Sequence, residues 1–276
     1  VDGGSNLRLE ATLFGGNMAL GDGGAASINN VSNIRIIAGG VPNQFELDEE
    51  EKLIEEVKDK YFDYTITGST SFIENETISG NGGAVSIRNF DEMKVASNSM
   101  QEGVYFLMNT ASSGKGGALY VVNDTMNGLL DITPQKEYEA ISSGETVVKV
   151  VNNQVVFGMN YAGSDGGAMY LSNVKEINMT NNIHFVDNIS AANGGALYIA
   201  NAATINTNDN VSLIGNIAKF NGGAMYLANV AEANFEYVNA NTNQAANGGA
   251  VYITGNGGNY KFSASKYYEN TASGLG

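Results

Sequence analysis

Several things that define common protein classes are missing from this chain of 276 residues. It has no cysteine, which excludes disulfides, zinc–thiolate sites and thiol catalysis. No apolar run approaches the roughly 20 residues of a membrane-spanning helix, and we expect no direct membrane insertion. Basic residues are few, 14 against 29 acidic ones, giving a net charge of −15. A nucleic-acid partner would need a basic footprint, so we expect none.

Glycine, by contrast, is abundant, with 35 residues against 2 prolines. Gly-Gly-Ala triplets recur seven times, at intervals of 59, 34, 50, 28, 28 and 26 residues. They begin at Gly23, Gly82, Gly116, Gly166, Gly194, Gly222 and Gly248. Such self-similarity indicates a repeat architecture, in which the shortest intervals define one unit and the longer ones carry insertions.

A second motif, of the form Phe-x-x-Asn, closes six or seven residues before each glycine pair. Its copies are FGGN at 14–17, FIEN at 72–75, FLMN at 106–109, FGMN at 157–160, FVDN at 185–188, LIGN at 213–216 and YYEN at 267–270. The unit of 26 residues has only the degraded copy VNAN at 238–241. A third apolar run, opened by Asn173, Asn201 or Asn229, lies between the two motifs.

The run after each glycine pair should alternate between two faces of a strand. Its second and fourth apolar positions, such as Met169 and Leu171, are predicted to point inward. The tyrosines between them point outward with the alanine of the triplet. This candidate interaction stripe comprises Tyr120, Tyr170, Tyr198, Tyr226 and Tyr252. Its rings either stack on one another as a ladder or present a surface to sugars or a partner.

Three short strands per unit, at a period of 20 to 30 residues, predict an all-β parallel β-helix of about eight coils, spanning 1–276 as one domain. A leucine-rich horseshoe lacks its signature here, and a propeller would need about 40 residues per blade. Glycine suits corners with positive φ. The predicted corners are Gly82, Gly83, Gly116, Gly117, Gly166, Gly167, Gly194, Gly195, Gly222, Gly223, Gly248 and Gly249. Stacked asparagines should form a hydrogen-bonded ladder. Its predicted members are Asn75, Asn109, Asn160, Asn188, Asn216 and Asn270.

The paired GGA-aliphatic and FxxN motifs resemble the repeats of the polymorphic membrane proteins, which are chlamydial-type surface autotransporters. The resemblance covers nearly the whole chain. It implies a right-handed β-helical passenger, displayed outside the cell or at the outer membrane and engaged in adhesion or self-association. Members of that family often carry cysteines and end in a translocator barrel, and this sequence has neither.

Two segments interrupt the repeats. Residues 41–64 have a helical pattern with acidic residues around Leu47, Leu53, Ile54 and Val57, which predicts an acidic amphipathic helix. This helix either braces the solenoid or binds a partner. Residues 124–148 contain Pro134 and Gly144 and predict a loop or hairpin.

Val1 does not begin a signal peptide, so we expect any export signal or anchor to lie outside this sequence. Neither end shows a recognisable polar cap. The first residues resemble the last coil, so the chain starts and stops inside a repeat. We expect either a segment of a longer array or a subunit whose open ends stack axially on other copies.

The sequence offers little for catalysis, although β-helices also host polysaccharide-cleaving enzymes. Acidic residues of the repeats, such as Asp187, Glu232 and Glu236, are scattered, and His184 is the only histidine. We expect no cofactor and no catalytic residues. Incidental calcium binding stays open because Asp22 and Asp165 precede glycine pairs, although the calcium-roll nonapeptide is absent.

Three hypotheses follow. The first is a non-enzymatic extracellular adhesin or stalk, whose partner is a protein or glycan of a host or neighbouring cell. The second is the subunit of an extracellular filament. The third, a glycan-cleaving enzyme, rests on fold analogy alone.

Overall fold

A computed structural model describes residues 1–38, 69–97, 103–134 and 154–274. All regular structure in these ranges is β-strand. Within them, no helix has the length and hydropathy needed to cross a membrane. The predicted helix at 41–64 lies outside the described residues.

The chain forms a long series of short strands. In chain order they are β1 (Asp2–Glu10), β2 (Leu13–Gly15), β3 (Met18–Ala19), β4 (Ala26–Ala38), β5 (Thr70–Ile73), β6 (Glu76–Thr77), β7 (Val85–Arg88), β8 (Glu92–Ser97), β9 (Val104–Leu107), β10 (Thr110–Ala111), β11 (Leu119–Ile132), β12 (Val155–Gly158), β13 (Tyr161–Ala162), β14 (Met169–Thr180), β15 (Ile183–Val186), β16 (Ile189–Ser190), β17 (Leu197–Ala200), β18 (Thr204–Asn208), β19 (Val211–Ile214), β20 (Ile217–Ala218), β21 (Met225–Ala228), β22 (Glu232–Glu236), β23 (Val238–Asn241), β24 (Gln244–Ala245), β25 (Val251–Thr254), β26 (Asn259–Ser263), β27 (Lys266–Tyr268) and β28 (Thr271–Ala272).

These strands build three parallel sheets, one of 12 strands and two of 8 strands. The first follows the order β1-β4-β7-β11-β14-β17-β21-β25, with β8, β18, β22 and β26 alongside. The second runs β2-β5-β9-β12-β15-β19-β23-β27, and the third runs β3-β6-β10-β13-β16-β20-β24-β28. Each strand therefore pairs with its counterpart one repeat away, as Met169 does with Leu197. The predicted all-β, parallel, repetitive architecture is confirmed.

The interior is filled by the apolar residues that the repeat copies from unit to unit. Met169 and Leu171 are fully buried, as predicted. Phe72, Phe106, Phe157 and Phe185 are also fully buried and stack with ring centroids 4.8–4.9 Å apart. Each repeat thus buries its apolar face mainly against the next one.

The predicted outward position of the triplet alanine was wrong. Ala168 is fully buried and belongs to the core. The strand begins only at Met169, so the two-residue alternation does not extend back to Ala168. Its carbonyl instead accepts the N–H groups of Ala118 and Leu119 in the preceding repeat.

The two glycines of each pair are required for different reasons. The first has positive φ, +65° at Gly194, a conformation that favours glycine. The second lies where two repeats are in contact. A Cβ added to Gly195 would be 2.0 Å from the carbonyl oxygen of Gly223. The predicted corners are therefore present, but positive φ explains only half of the glycines.

The segments that interrupt the repeats leave the sheets at neighbouring places. Ala38 pairs with Ser97 at the ends of β4 and β8, and β8 pairs with the end of β11 near Ile132. Residues 124–132 of the second predicted insertion belong to β11. The extra residues at this corner thus follow Ile132, and residues 135–153 lie outside the described ranges.

Candidate functional site: an internal asparagine ladder and an external tyrosine column

The predicted asparagine ladder is present inside the solenoid. The side-chain amide of each member donates to the Oδ1 atom of the next, for example Asn160 to Asn188 and Asn188 to Asn216, both at 2.9 Å. The backbone N–H of each donor bonds the same oxygen, at 3.1 Å for Asn160 and 3.0 Å for Asn188. Because these asparagines are completely buried, every one of these groups needs its partner.

The ladder is continuous and longer than predicted. Asn17 donates to Asn75 at 2.8 Å, and Asn216 continues to Asn243 and then to Asn270 at 2.9 Å each. The predicted copy VNAN was therefore out of register. Asn241 ends strand β23, and Asn243 occupies the ladder position. The 27-residue spacing from Asn216 and to Asn270 was the signal that could have revealed it.

The outward tyrosines form a stacked column, as the ladder interpretation predicted. Ring centroids are 5.3, 4.9, 4.8 and 5.5 Å apart from Tyr120 to Tyr252, with interplanar angles of 13° or less. The neighbouring rings therefore cover each other's faces. A sugar ring packs on an aromatic face, so the column offers edges and hydroxyl groups rather than a stacking platform. Burial raises the pKa of the Tyr198 and Tyr226 hydroxyls.

Two cations lie over one end of this column. The guanidinium carbon of Arg88 is 5.1 Å from the Tyr120 ring centroid, and Arg88 Nη2 is 3.2 Å from Asp22 Oδ2. Lys115 Nζ lies 4.3 Å from the Tyr170 ring centroid and donates to the Tyr170 hydroxyl at 3.2 Å. Tyr170 is only 9% exposed, while Tyr198, Tyr226 and Tyr252 remain partly open to solvent.

The aspartates that precede glycine pairs are engaged in other contacts. Asp22 pairs with Arg88, and Asp165 Oδ2 lies 3.7 Å from Lys115 Nζ. Asp165 Oδ1 also accepts the Asn193 side chain at 2.9 Å, which starts a short external ladder through Asn221. Over the described ranges, no group of three or more His, Cys, Asp or Glu side chains is placed to hold a metal ion.

Two of the hollows on the surface of the described residues are lined by side chains of the repeats. The larger, about 580 Å³, includes Val251, Phe262 and Tyr267 in its wall, on the outermost described repeat. Val251 and Tyr267 are only partly buried. The residues at the same two positions of the earlier repeats are covered by the repeat that follows them. The smaller, about 430 Å³, lies beside β11 and is lined mainly by polar side chains of three repeats.

The chain was also compared with known proteins. No family model, no curated protein sequence and no solved structure matches it.

Proposed function

We propose that this chain is a right-handed parallel β-helix of about eight coils, with three strands per coil, that serves as a non-enzymatic adhesin or stalk. On this proposal it belongs outside the cell or at an outer membrane, in the manner of the polymorphic membrane proteins that its motifs resemble. Its partner is a protein or glycan on another cell, and it needs no cofactor.

The observation that supports the proposal is the set of contacts that the repeated side chains make between neighbouring repeats. The asparagines from Asn17 to Asn270 bond the repeats to one another, and the phenylalanine and tyrosine columns stack in the same direction. Side chains that recur from repeat to repeat thus hold neighbouring repeats together along the axis. A rod of this kind suits the presentation of a surface at a distance.

Adhesion can be tested with the purified chain coupled to fluorescent beads. We expect the beads to adhere to cells of at least one type in a panel, and soluble chain to compete. Beads carrying heat-unfolded chain are the matched control. Equal adhesion of folded and unfolded chain, or none by either, would contradict the proposal.

Two further measurements separate the other hypotheses. Negative-stain electron microscopy over a dilution series should give separate rods about 40 Å long, from roughly eight coils at 4.8 Å each. Fibres that persist at low concentration would favour a filament subunit instead. Product release from a panel of polysaccharides should stay at background, and release above background would favour an enzyme.

A further inference from the structure

Strand β11 departs from the repeat at one place. Val122 pairs with Ser172 and Asn127 pairs with Val174, so β11 contains three residues more than β14 over this stretch. The extra residues lie within a bulge loop, Asp124–Asn127, and all four residues of this loop are exposed. Bulges redirect side chains and occur frequently next to binding sites.

The bulge loop is held firmly. Asn123 is 5% exposed; its Oδ1 accepts the Phe90 N–H at 2.9 Å and its Nδ2 donates to the Asn127 carbonyl at 2.8 Å. Asn89 and Asp124 exchange two hydrogen bonds, at 2.9 and 3.0 Å. Since the loop is already ordered, a ligand binding there would bear little of the entropic cost of fixing it.

The loop forms one wall of the hollow of about 430 Å³, which we name the bulge groove. Asn30 and Ser32 of one repeat and Asn89 and Asp91 of the next form the other side. This volume is within the range of roughly 300–1,000 Å³ typical of small-ligand clefts. The groove is therefore large enough for a small organic ligand.

The polar groups of the groove favour a ligand rich in hydroxyls. Asp124 Oδ2 accepts the Asn89 amide and Asp91 Oδ1 accepts the Asn127 amide. Within the described residues, the second oxygen of each carboxylate has no hydrogen bond and can accept one from a ligand hydroxyl. Thr125 adds a hydroxyl that both donates and accepts.

Charge narrows the class of ligand further. The groove is lined by two carboxylates and by no lysine or arginine among the described residues, on a chain of net charge −15. Sialylated, sulfated and phosphorylated ligands would be repelled. A bare cation would find only one free oxygen on each of Asp91 and Asp124, because an amide N–H already occupies the other.

We infer that the bulge groove, between Asp124–Asn127 and the Asn30 and Asn89 corners, binds an uncharged oligosaccharide through hydrogen bonds to its hydroxyls. The inference rests on the proposed adhesive function and names the chemistry of its ligand. It assigns ligand recognition to the bulged corner of β11 rather than to the tyrosine column.

The test uses the full chain, fluorescently labelled, on an array of neutral, amino, sialylated and sulfated oligosaccharides. The key variant replaces residues 123–128 by Asn-Val-Lys, the sequence of residues 173–175, where the same corner has no bulge. Because the neighbouring repeat already uses this shorter corner, the variant should fold, as circular dichroism would verify. Asp124→Ala is a milder variant, and Glu232→Gln, on the same sheet and remote in sequence, is the matched control.

We expect the wild-type chain and Glu232→Gln to bind neutral oligosaccharides equally, with or without EDTA. The corner replacement should weaken binding by at least about tenfold, the loss expected for one or two hydrogen bonds, and Asp124→Ala by about threefold to tenfold. Unchanged binding by the folded replacement variant would overturn the inference. A preference for sialylated or sulfated glycans, loss of binding in EDTA, or the absence of any glycan binding would also overturn it.

The bead assay on the same preparations separates this inference from the proposed function. If the replacement variant adheres to cells as strongly as wild type, the groove is not the adhesive site but adhesion stands. If wild-type beads do not adhere at all, the proposed function fails whatever the array shows.

Discussion

Removing one member of the buried asparagine ladder should destabilise the chain far more than removing an asparagine outside it. Asn188 is completely buried, and its side chain takes part in four hydrogen bonds. Its Nδ2 donates to the Phe157 carbonyl and to Asn216 Oδ1, both at 2.9 Å. Its Oδ1 accepts the backbone N–H of Asn160 at 3.1 Å and the Asn160 amide at 2.9 Å.

The substitution Asn188→Ala leaves two buried donors without partners, namely the Asn160 N–H and one Asn160 amide hydrogen, and it removes the side-chain donor to the Phe157 carbonyl. Each buried polar group that is left without a hydrogen-bond partner costs about 1–3 kcal/mol. Allowing for some relaxation, we expect the free energy of unfolding to fall by about 3–5 kcal/mol. Such a loss is a large share of the stability of an ordinary domain.

Asn206→Ala is the matched control. Asn206 also bonds its counterparts in the adjacent repeats, at 3.0 and 3.3 Å, but it lies on the partly exposed outer face. Water can replace its bonds, so we expect a loss below about 1 kcal/mol.

Urea-induced unfolding followed by far-ultraviolet circular dichroism measures both variants. Because repeats contact only their neighbours, Asn188→Ala should also broaden the transition or split it into two steps. If Asn188→Ala costs no more than Asn206→Ala, the ladder does not hold the repeats together and the reasoning is refuted.

Three other substitutions probe the corners, the core and the single histidine. Gly195→Ala places a Cβ 2.0 Å from the Gly223 carbonyl oxygen, whereas Gly21→Ala meets nothing within 4 Å; we expect soluble folded protein, judged by gel filtration, only from Gly21→Ala. Phe157→Ala should lower the free energy of unfolding in urea by about 3–5 kcal/mol because it leaves a cavity in a fully buried stack, and a loss under 1 kcal/mol would contradict that packing. Burial lowers the pKa of His184 below its ordinary value of 6.5, so the unfolded chain binds the proton more tightly and stability falls as the pH drops below about 6.5. The thermal midpoint should therefore decrease between pH 7.5 and 5.5 in the wild-type chain and decrease less in His184→Gln; equal decreases would contradict this assignment.

The regular part of the fold could be read from the sequence because every repeat places equivalent residues in equivalent surroundings. Tyr120 and its counterparts vary to serine in the first repeats while the neighbouring aliphatic slots do not, and that contrast identified the inner face. The same copying predicted most members of the asparagine ladder.

The predictions from the sequence were wrong where one repeat differs in length from the next. Asn243 was missed because counting from the glycine pair pointed to Asn241, and only stacking on Asn216 and Asn270 fixes the register. Asp124 was taken as the start of an insertion, whereas strand pairing resumes at Asn127 and continues to Ile132. A bulge and an insertion look alike in a sequence, since the difference lies in the hydrogen bonds that follow.

The sequence by itself determined the period, the strand faces and the glycine corners, because these depend on short-range sterics and on burial that recurs in every unit. Only the tertiary structure decided how the repeats are in contact. It placed the second glycine of each pair against the next repeat. It also showed that the tyrosine rings cover one another's faces and that the bulge loop lies beside the corners of two earlier repeats. These features depend on distances between residues far apart in the chain, and such distances are fixed only when the repeats stack.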